Sequence, residues 1–260
     1  MFLNSANILV FFIVLARVIG LFTIAPFFSE RIIPQMMKAI FILWITVVLW
    51  FVVDVPVNLP TAPIFVFTFM INEFLIGLGI GFIARIILVG IQTAGSLMDM
   101  QMGLSAAAIF DPTSGSQSTL MSKAMFYFGI IAFISINAHH LLLVVFRESF
   151  KVIPPVKLVE YSNMPEMLGE LGARMFFIAV SLSLPIIIII FLLDFSLGLL
   201  SRLAPQVNVF FLGFQIKPIL GIWMFMLVAP VLGGKMSDLF YNVSVNVLDF
   251  YKLTRIIGNG

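Results

Sequence analysis

The stretch IFVFTFMINEFLIGLGIGFIARIILVGIQTAGSLM, residues 64–98, carries only two charged side chains, Glu73 and Arg85. About 20 apolar residues in a helix cross the roughly 30 Å of bilayer hydrocarbon. This run is therefore long enough for two passes or for one long, bent helix. Lipid offers no hydrogen-bond partner to a broken backbone, so a run of this kind is helical. The reading that follows is an all-α chain.

Further apolar runs lie on either side: Ile8–Phe28, Met36–Val53, Leu120–Phe146, Met175–Leu200 and Val207–Gly234. Together they predict six or seven long apolar helices, kinked at Pro26, Pro185, Pro218 and Pro230. Hydrophobic residues make up 62% of the 260 and charged ones 10%, against roughly 25% charged in soluble domains. Too few charges remain to cover a water-facing enzyme, and so much apolar surface excludes disorder. A net charge of +2 with no clustered basic face is no nucleic-acid footprint. Without Cys there are no disulfides or zinc–thiolate sites. The first apolar run lacks the basic start of a cleavable signal and is read as retained.

Arg17, Glu73, Arg85, Asp99, Asp194 and Lys217 interrupt the apolar runs. A charge at the bilayer centre costs about 2.5–3.5 kcal/mol on insertion scales. Either these side chains lie near interfaces and snorkel, or much of the apolar surface meets protein partners and a polar interior. The second account is favoured. The polar connection Arg147–Arg174 has balanced signs, so charge bias does not set topology. From Met236 to Ile257, apolar Met236, Phe240, Val243 and Val247 oppose Asp238, Asn242, Asn246 and Asp249. That tail reads as an amphipathic helix.

Candidates for chemistry are few. His139 and His140 are adjacent, about 100° apart on a helix, and unsuited to chelating one metal. Gly77, Gly79 and Gly81 lack the Lys-Ser/Thr of a phosphate loop. Gly77 and Gly81, four apart, instead suit close backbone approach between helices. Asp99 and Asp111 are twelve apart, with Gly103 between them and Pro112 after, and give no support to a carboxylate dyad. Nothing forms a nucleophile–base–orienter set, so the chain is read as no enzyme, with no cofactor and no metal.

The most unusual segment is Gly103–Thr119, with Phe110, Asp111, Pro112 and Gly115 within it. Pro and Gly keep it from forming a regular helix. It is either an ordinary loop outside the membrane or a loop lining a cavity. Met98, Met102, Met121 and Met125 flank it. Methionine fills gaps of variable shape, so these four are either core packing or a compliant seal.

Arg17, Pro26-Phe27, Pro34, Asn72-Glu73, Ala94-Gly95, Asp111-Pro112 and His139-His140 follow a recognisable order. The densest pattern is Leu197-Gly198-Leu199-Leu200-Ser201-Arg202-Leu203-Ala204-Pro205-Gln206-Val207-Asn208-Val209-Phe210. The chain resembles the flagellar biosynthetic protein FliR family over residues 10–235 or so. The resemblance implies a subunit of a type III export gate in the bacterial inner membrane, within the flagellar basal body. Implied partners are FliP, FliQ, FlhB and FlhA family proteins, unfolded flagellar substrates and membrane lipid. It also implies a FliP-like part (1–174) and a FliQ-like helical hairpin with the amphipathic tail (175–257). The hairpin tip would carry Arg202, Pro205, Gln206 and Asn208, and Gly103–Thr119 would be a pore-closing plug. Arg17, Glu73, Arg85, Asp194 and Lys217 would be buried charges meeting protein or water. A small-solute secondary transporter would also explain broken helices and intramembrane charges, but the halves of the chain show no internal repeat. An injectisome export-gate homologue is the neighbouring alternative.

Overall fold

A computed structural model describes residues 5–26, 28, 33–53, 62–106, 119–253 and 255–256. Seven α-helices run through these residues: α1 Ser5–Ile24, α2 Gln35–Trp50, α3 Pro63–Met102, α4 Leu120–Ser135, α5 Ala138–Val152, α6 Met164–Leu203 and α7 Val209–Leu253. Val159 and Glu160 pair antiparallel with Ile256 and Arg255, the one β pairing among the described residues. Four helices, α1, α3, α6 and α7, are long and apolar enough to cross a bilayer; the pair α4 and α5 would make a fifth, broken span.

The opening stretch proves to be one continuous helix. α3 has 40 residues, about 60 Å at 1.5 Å per residue, roughly twice the hydrocarbon thickness. It stops at Met102 because Gly103 takes φ +76°, a left-handed position that glycine adopts without a Cβ penalty. Pro185 stays inside α6, and Pro218 and Pro230 inside α7, without ending either helix. The predicted tail helix is simply the far end of α7, which runs unbroken to Leu253.

Two boundaries differ from the sequence reading. The run Leu120–Phe146 is split at Ile136–Asn137, where Asn137 has φ 56°, a conformation that Asn tolerates better than most residues. Beyond the break, Leu142, Val145, Phe146, Ser149 and Phe150 are buried as one stripe of α5. The polar connection is also shorter than expected, since α6 already begins at Met164. Glu166 in its first turn suits the positive end of the helix dipole, so charged residues extend the helix beyond its apolar part.

The chain divides into two compact units. The first comprises Met1–Ile86, Asn137–Leu171 and Phe240–Gly260; the second comprises Ile87–Ile136 and Gly172–Leu239. In the first, α1 is the core helix, burying Val10, Ile13, Val14, Val18, Leu21 and Phe22. α2 leans on it through Trp50, whose Nε1–H donates to the Asn7 carbonyl at 3.1 Å and whose ring meets Phe11 edge-on. Thr46 and Leu49 are also buried, whereas Met36, Ile40 and Trp44 of α2 are exposed. In the second unit, the later part of α3 is central. Gly90 lies against Ile178 of α6, Gly95 against the backbone of Met121 and Ser122 in α4, and Met102 against Gly221 of α7.

Candidate functional site

In the first unit, glycine spacing determines where two charges meet. A Cβ on Gly20 would strike the Phe74 carbonyl, and one on Gly77 would strike the Arg17 carbonyl. Gly81 is close to the Leu21 carbonyl as well, which would lie 2.9 Å from a Cβ there. The expected role of Gly77 and Gly81 is therefore met: they bring the backbones of α1 and α3 into contact. Glu73 is one turn before Gly77 on the same face. Arg17 lies at the crossing, and the two side chains form an ion pair with neither exposed.

The Arg17 guanidinium is satisfied on several sides. Nε donates to Glu73, Nη1 to Ser149 Oγ at 3.2 Å and Nη2 to the Ile153 carbonyl at 3.0 Å. Its Cζ lies 4.0 Å from the centre of the Phe150 ring. Ser149 in turn donates to the Phe146 carbonyl. Next to Glu73, Asn72 grips the segment after α5: Nδ2 donates to the Lys157 carbonyl, while Oδ1 accepts from the Val159 N–H and the Tyr161 hydroxyl. Burial first, and the negative Glu73 second, push the Tyr161 hydroxyl up to about 12. One buried polar clasp thus ties α1, α3, α5 and the following segment together.

In the second unit, Asp99 is completely buried. It stands one turn beyond Gly95, whose lack of a side chain lets α4 approach. Its Oδ2 accepts the backbone N–H groups of Met121 at 2.9 Å and Ser122 at 3.1 Å. These are donors that a helix start leaves without an intrahelical partner. Thr119, in the N-cap position, makes no side-chain capping bond, so a carboxylate from another helix caps α4. Sequence reasoning noted Asp99 as an interruption of an apolar run and set it aside as half of a dyad, without reading it as a helix cap. The available signal was Gly95 and Asp99 at i, i+4, followed by a helix start at Leu120.

Of the flanking methionines, Met98 and Met102 on α3 and Met121 and Met125 on α4 are all buried. Gly103 ends α3, whereas Phe110, Asp111, Pro112 and Gly115 lie outside the described residues. Arg85 is half-buried.

α6 and α7 form a hairpin, with Leu197 against Gly213 and Asp194 paired to Lys217 at 2.6 Å. These last two were expected among the buried charges. Their side chains instead keep 41% and 26% exposure, because they sit on the open side of the hairpin. The tip follows from its sequence. Pro205 pre-sets the backbone for a turn closed by Val207 N–H to the Ala204 carbonyl. Asn208 then caps α7, its Oδ1 accepting the Phe211 N–H at 3.1 Å. Arg202, Pro205, Gln206 and Asn208 are all exposed. Beside the tip lies a cavity of about 280 Å³, reached by Met102 at the end of α3 and Gly103 after it, Leu197 and Gly198 from α6, and Phe210 and Phe214 from α7.

This arrangement is one of packing surfaces and anchored loops. Among the described residues, no cluster of His, Asp or Glu could hold a metal ion.

The sequence matches the family described as bacterial export proteins, family 1, over residues 8–243. It is 32% identical to the flagellar biosynthetic protein FliR of Bacillus subtilis, over 80% of this chain and 81% of that protein. It is 29% identical to the Escherichia coli protein of the same name, over 88% and 87% of the two chains. With the Aquifex aeolicus protein of that name it shares 26% identity over 91% and 89%. With the match covering almost the whole length, the chain belongs to the FliR family of bacterial export proteins.

Proposed function

We propose that this chain is a subunit of the flagellar protein-export gate, helping to form and close the channel for unfolded flagellar proteins. FliP, FliQ, FlhB and FlhA family proteins are its neighbours in the bacterial inner membrane, within the flagellar basal body. The observation that carries this reading, beside family membership, is the uneven burial of the long helices. In the most apolar window of α3, 67% of residues are buried, against 33% for α6 and 11% for α7. The least covered helices carry an ion pair, Asp194–Lys217, that lipid alone would solvate poorly. Protein neighbours cover such a surface better.

In this reading residues 1–174 are the FliP-like part and 175–257 the FliQ-like hairpin with its amphipathic tail. Gly103–Thr119 is the plug. A channel wide enough for an unfolded chain needs a closure that yields to many side-chain shapes. A Gly/Ser-rich segment has little order to lose, and the methionines on its stems, Met98, Met102, Met121 and Met125, pack adaptably. Asp99 supports the design by holding the first turn of α4, where the segment ends.

The test has two parts. Removing the gene should stop secretion of flagellar subunits, and restoring it should return secretion. Deleting residues 103–119 should then raise the ion conductance of the reconstituted complex. Unchanged conductance would sink the plug, and undiminished secretion without the gene would sink the export role.

A further inference from the structure

The start of α4 has two caps within reach of one set of donors. Asp99 Oδ2 accepts the N–H groups of Met121 and Ser122, at 2.9 and 3.1 Å. With Thr119 as the N-cap residue, these are the second and third positions of the helix. They are the donors that an N-cap side chain ordinarily takes for itself, and threonine is among the residues preferred there. Thr119 also has the backbone for it. Its φ of −74° and ψ of 169° are extended, and its carbonyl accepts the Lys123 N–H at 3.0 Å. Yet its hydroxyl makes no capping bond. Thr119 Oγ1 is buried without a hydrogen-bond partner among the described residues, and so is Asp99 Oδ1.

A buried polar atom left unpaired is costly, and two of them stand at this one helix start. A turn about a single side-chain bond would bring Thr119 Oγ1 to the Met121 and Ser122 amides in place of Asp99. That exchange gives the hydroxyl its partners but gives up the stronger, charge-assisted bonds. It is therefore uphill while α3 and α4 stay together. Gly95 holds their backbones close, and Ser122 Oγ donates to the Gln92 carbonyl at 3.2 Å. Once the end of α3 draws away, Thr119 keeps the first turn of α4 satisfied.

We infer that Thr119 is a reserve cap, and that α4 exchanges Asp99 for Thr119 when the end of α3 separates from it. The helix start is thus a two-position latch whose release does not unwind α4. This goes beyond the export-gate reading and stands without it, because it concerns only the contact between two helices of this chain.

The test is a double-mutant cycle on the full chain in detergent, read as hydrogen exchange at the Met121 and Ser122 amides. Thr119→Val keeps the branched shape and removes the hydroxyl. Alone, it should leave exchange unchanged or slow it, because the oxygen removed makes no bond. In an Asp99→Ala chain Thr119 is the cap. There Thr119→Val should speed exchange about fivefold beyond Asp99→Ala alone, the size of a lost threonine cap. Dependence of one substitution on the other is what shared donors require. Equal effects of Thr119→Val in the two backgrounds overturn the reserve cap. Faster exchange from Thr119→Val alone overturns it too, since Thr119 would then be bonded while Asp99 is in place.

If Asp99→Ala does not accumulate, Asp99→Asn takes its place in the cycle. It keeps an acceptor oxygen without the charge, so Thr119 competes with it for the same donors. Thr119→Val should then speed exchange about twofold in the Asp99→Asn chain and not in the parent. No difference between those two backgrounds likewise overturns the latch.

Discussion

The Arg17–Glu73 pair in the first unit has no exposure, and the Asp194–Lys217 pair in the second keeps 41% and 26%. Around the first, Ser149, Ile153 and Phe150 complete the guanidinium's contacts from within the same chain. Around the second, an apolar cavity and exposed aromatic side chains lie on an open face. A charge taken out of water must be repaid by partners in the same structure. Arg17 in the first pair has them; the second pair keeps a face free to meet something else. One is a device for folding the chain and the other is suited to joining it to neighbours.

The sharpest way to break this contrast is to remove one member of the sealed pair. Glu73→Ala strands the Arg17 guanidinium and should cost about 3–5 kcal/mol. The expected outcome is a large fall in folded chain, read as yield and thermal midpoint in detergent, before any assembly step. If Glu73→Ala folds normally and fails only in assembly, the clasp is not a folding device.

Asp99→Ala comes next. It removes two charge-assisted hydrogen bonds from the start of α4, and such bonds contribute about 1.5–3 kcal/mol. Hydrogen exchange should accelerate at the Met121 and Ser122 amides, with Asp99→Asn retaining part of the protection. Asn208→Ala, at the exposed hairpin tip, should cost about 1 kcal/mol through loss of the α7 cap. Faster exchange confined to the first turn of α7 would be its signature.

Lys217→Ala sharpens the comparison from the other side. An ion pair this exposed contributes about 0–1 kcal/mol in the isolated chain, so the thermal midpoint should barely move. A clear loss of complex from the same variant would place the role of the pair in assembly. A large drop in the isolated chain would make the two pairs alike.

The last effect is a titration, felt only at alkaline pH. Tyr161 is held neutral, with its hydroxyl pushed up from 10 to about 12. A raised folded value means that the native state retains the proton longer than the unfolded chain. The contribution is therefore present below pH 10 and is lost as pH rises from there through about 12. Tyr161→Phe should remove this component of the alkaline unfolding profile, followed by tyrosinate absorbance.

The helices were legible because lipid and close packing impose one solution on long apolar runs, whatever their neighbours. The same holds for Gly77 and Gly81, since small residues four apart present one narrow stripe. Pro205 and Asn208 were placed at a hairpin tip through the family resemblance, and the structure supplies the local reason, a proline turn followed by a helix cap. The break at Asn137 was not: one left-handed residue costs little, and only the contacts of α5 choose it. Nor was the start of α6 at Met164, where polar side chains continue a helix that hydropathy alone would have ended.

By itself the sequence determined an all-α chain of long apolar helices, the family, and the presence of charges that lipid would not tolerate. Only the tertiary structure decided which charges meet. Arg17 and Glu73 are 56 positions apart, and Asp99 lies 22 positions from the amide it caps. Periodicity is a local property of the chain, whereas pairing depends on which backbones come close enough to share a proton. Here that closeness is set by a glycine one turn from each carboxylate, Gly77 after Glu73 and Gly95 before Asp99.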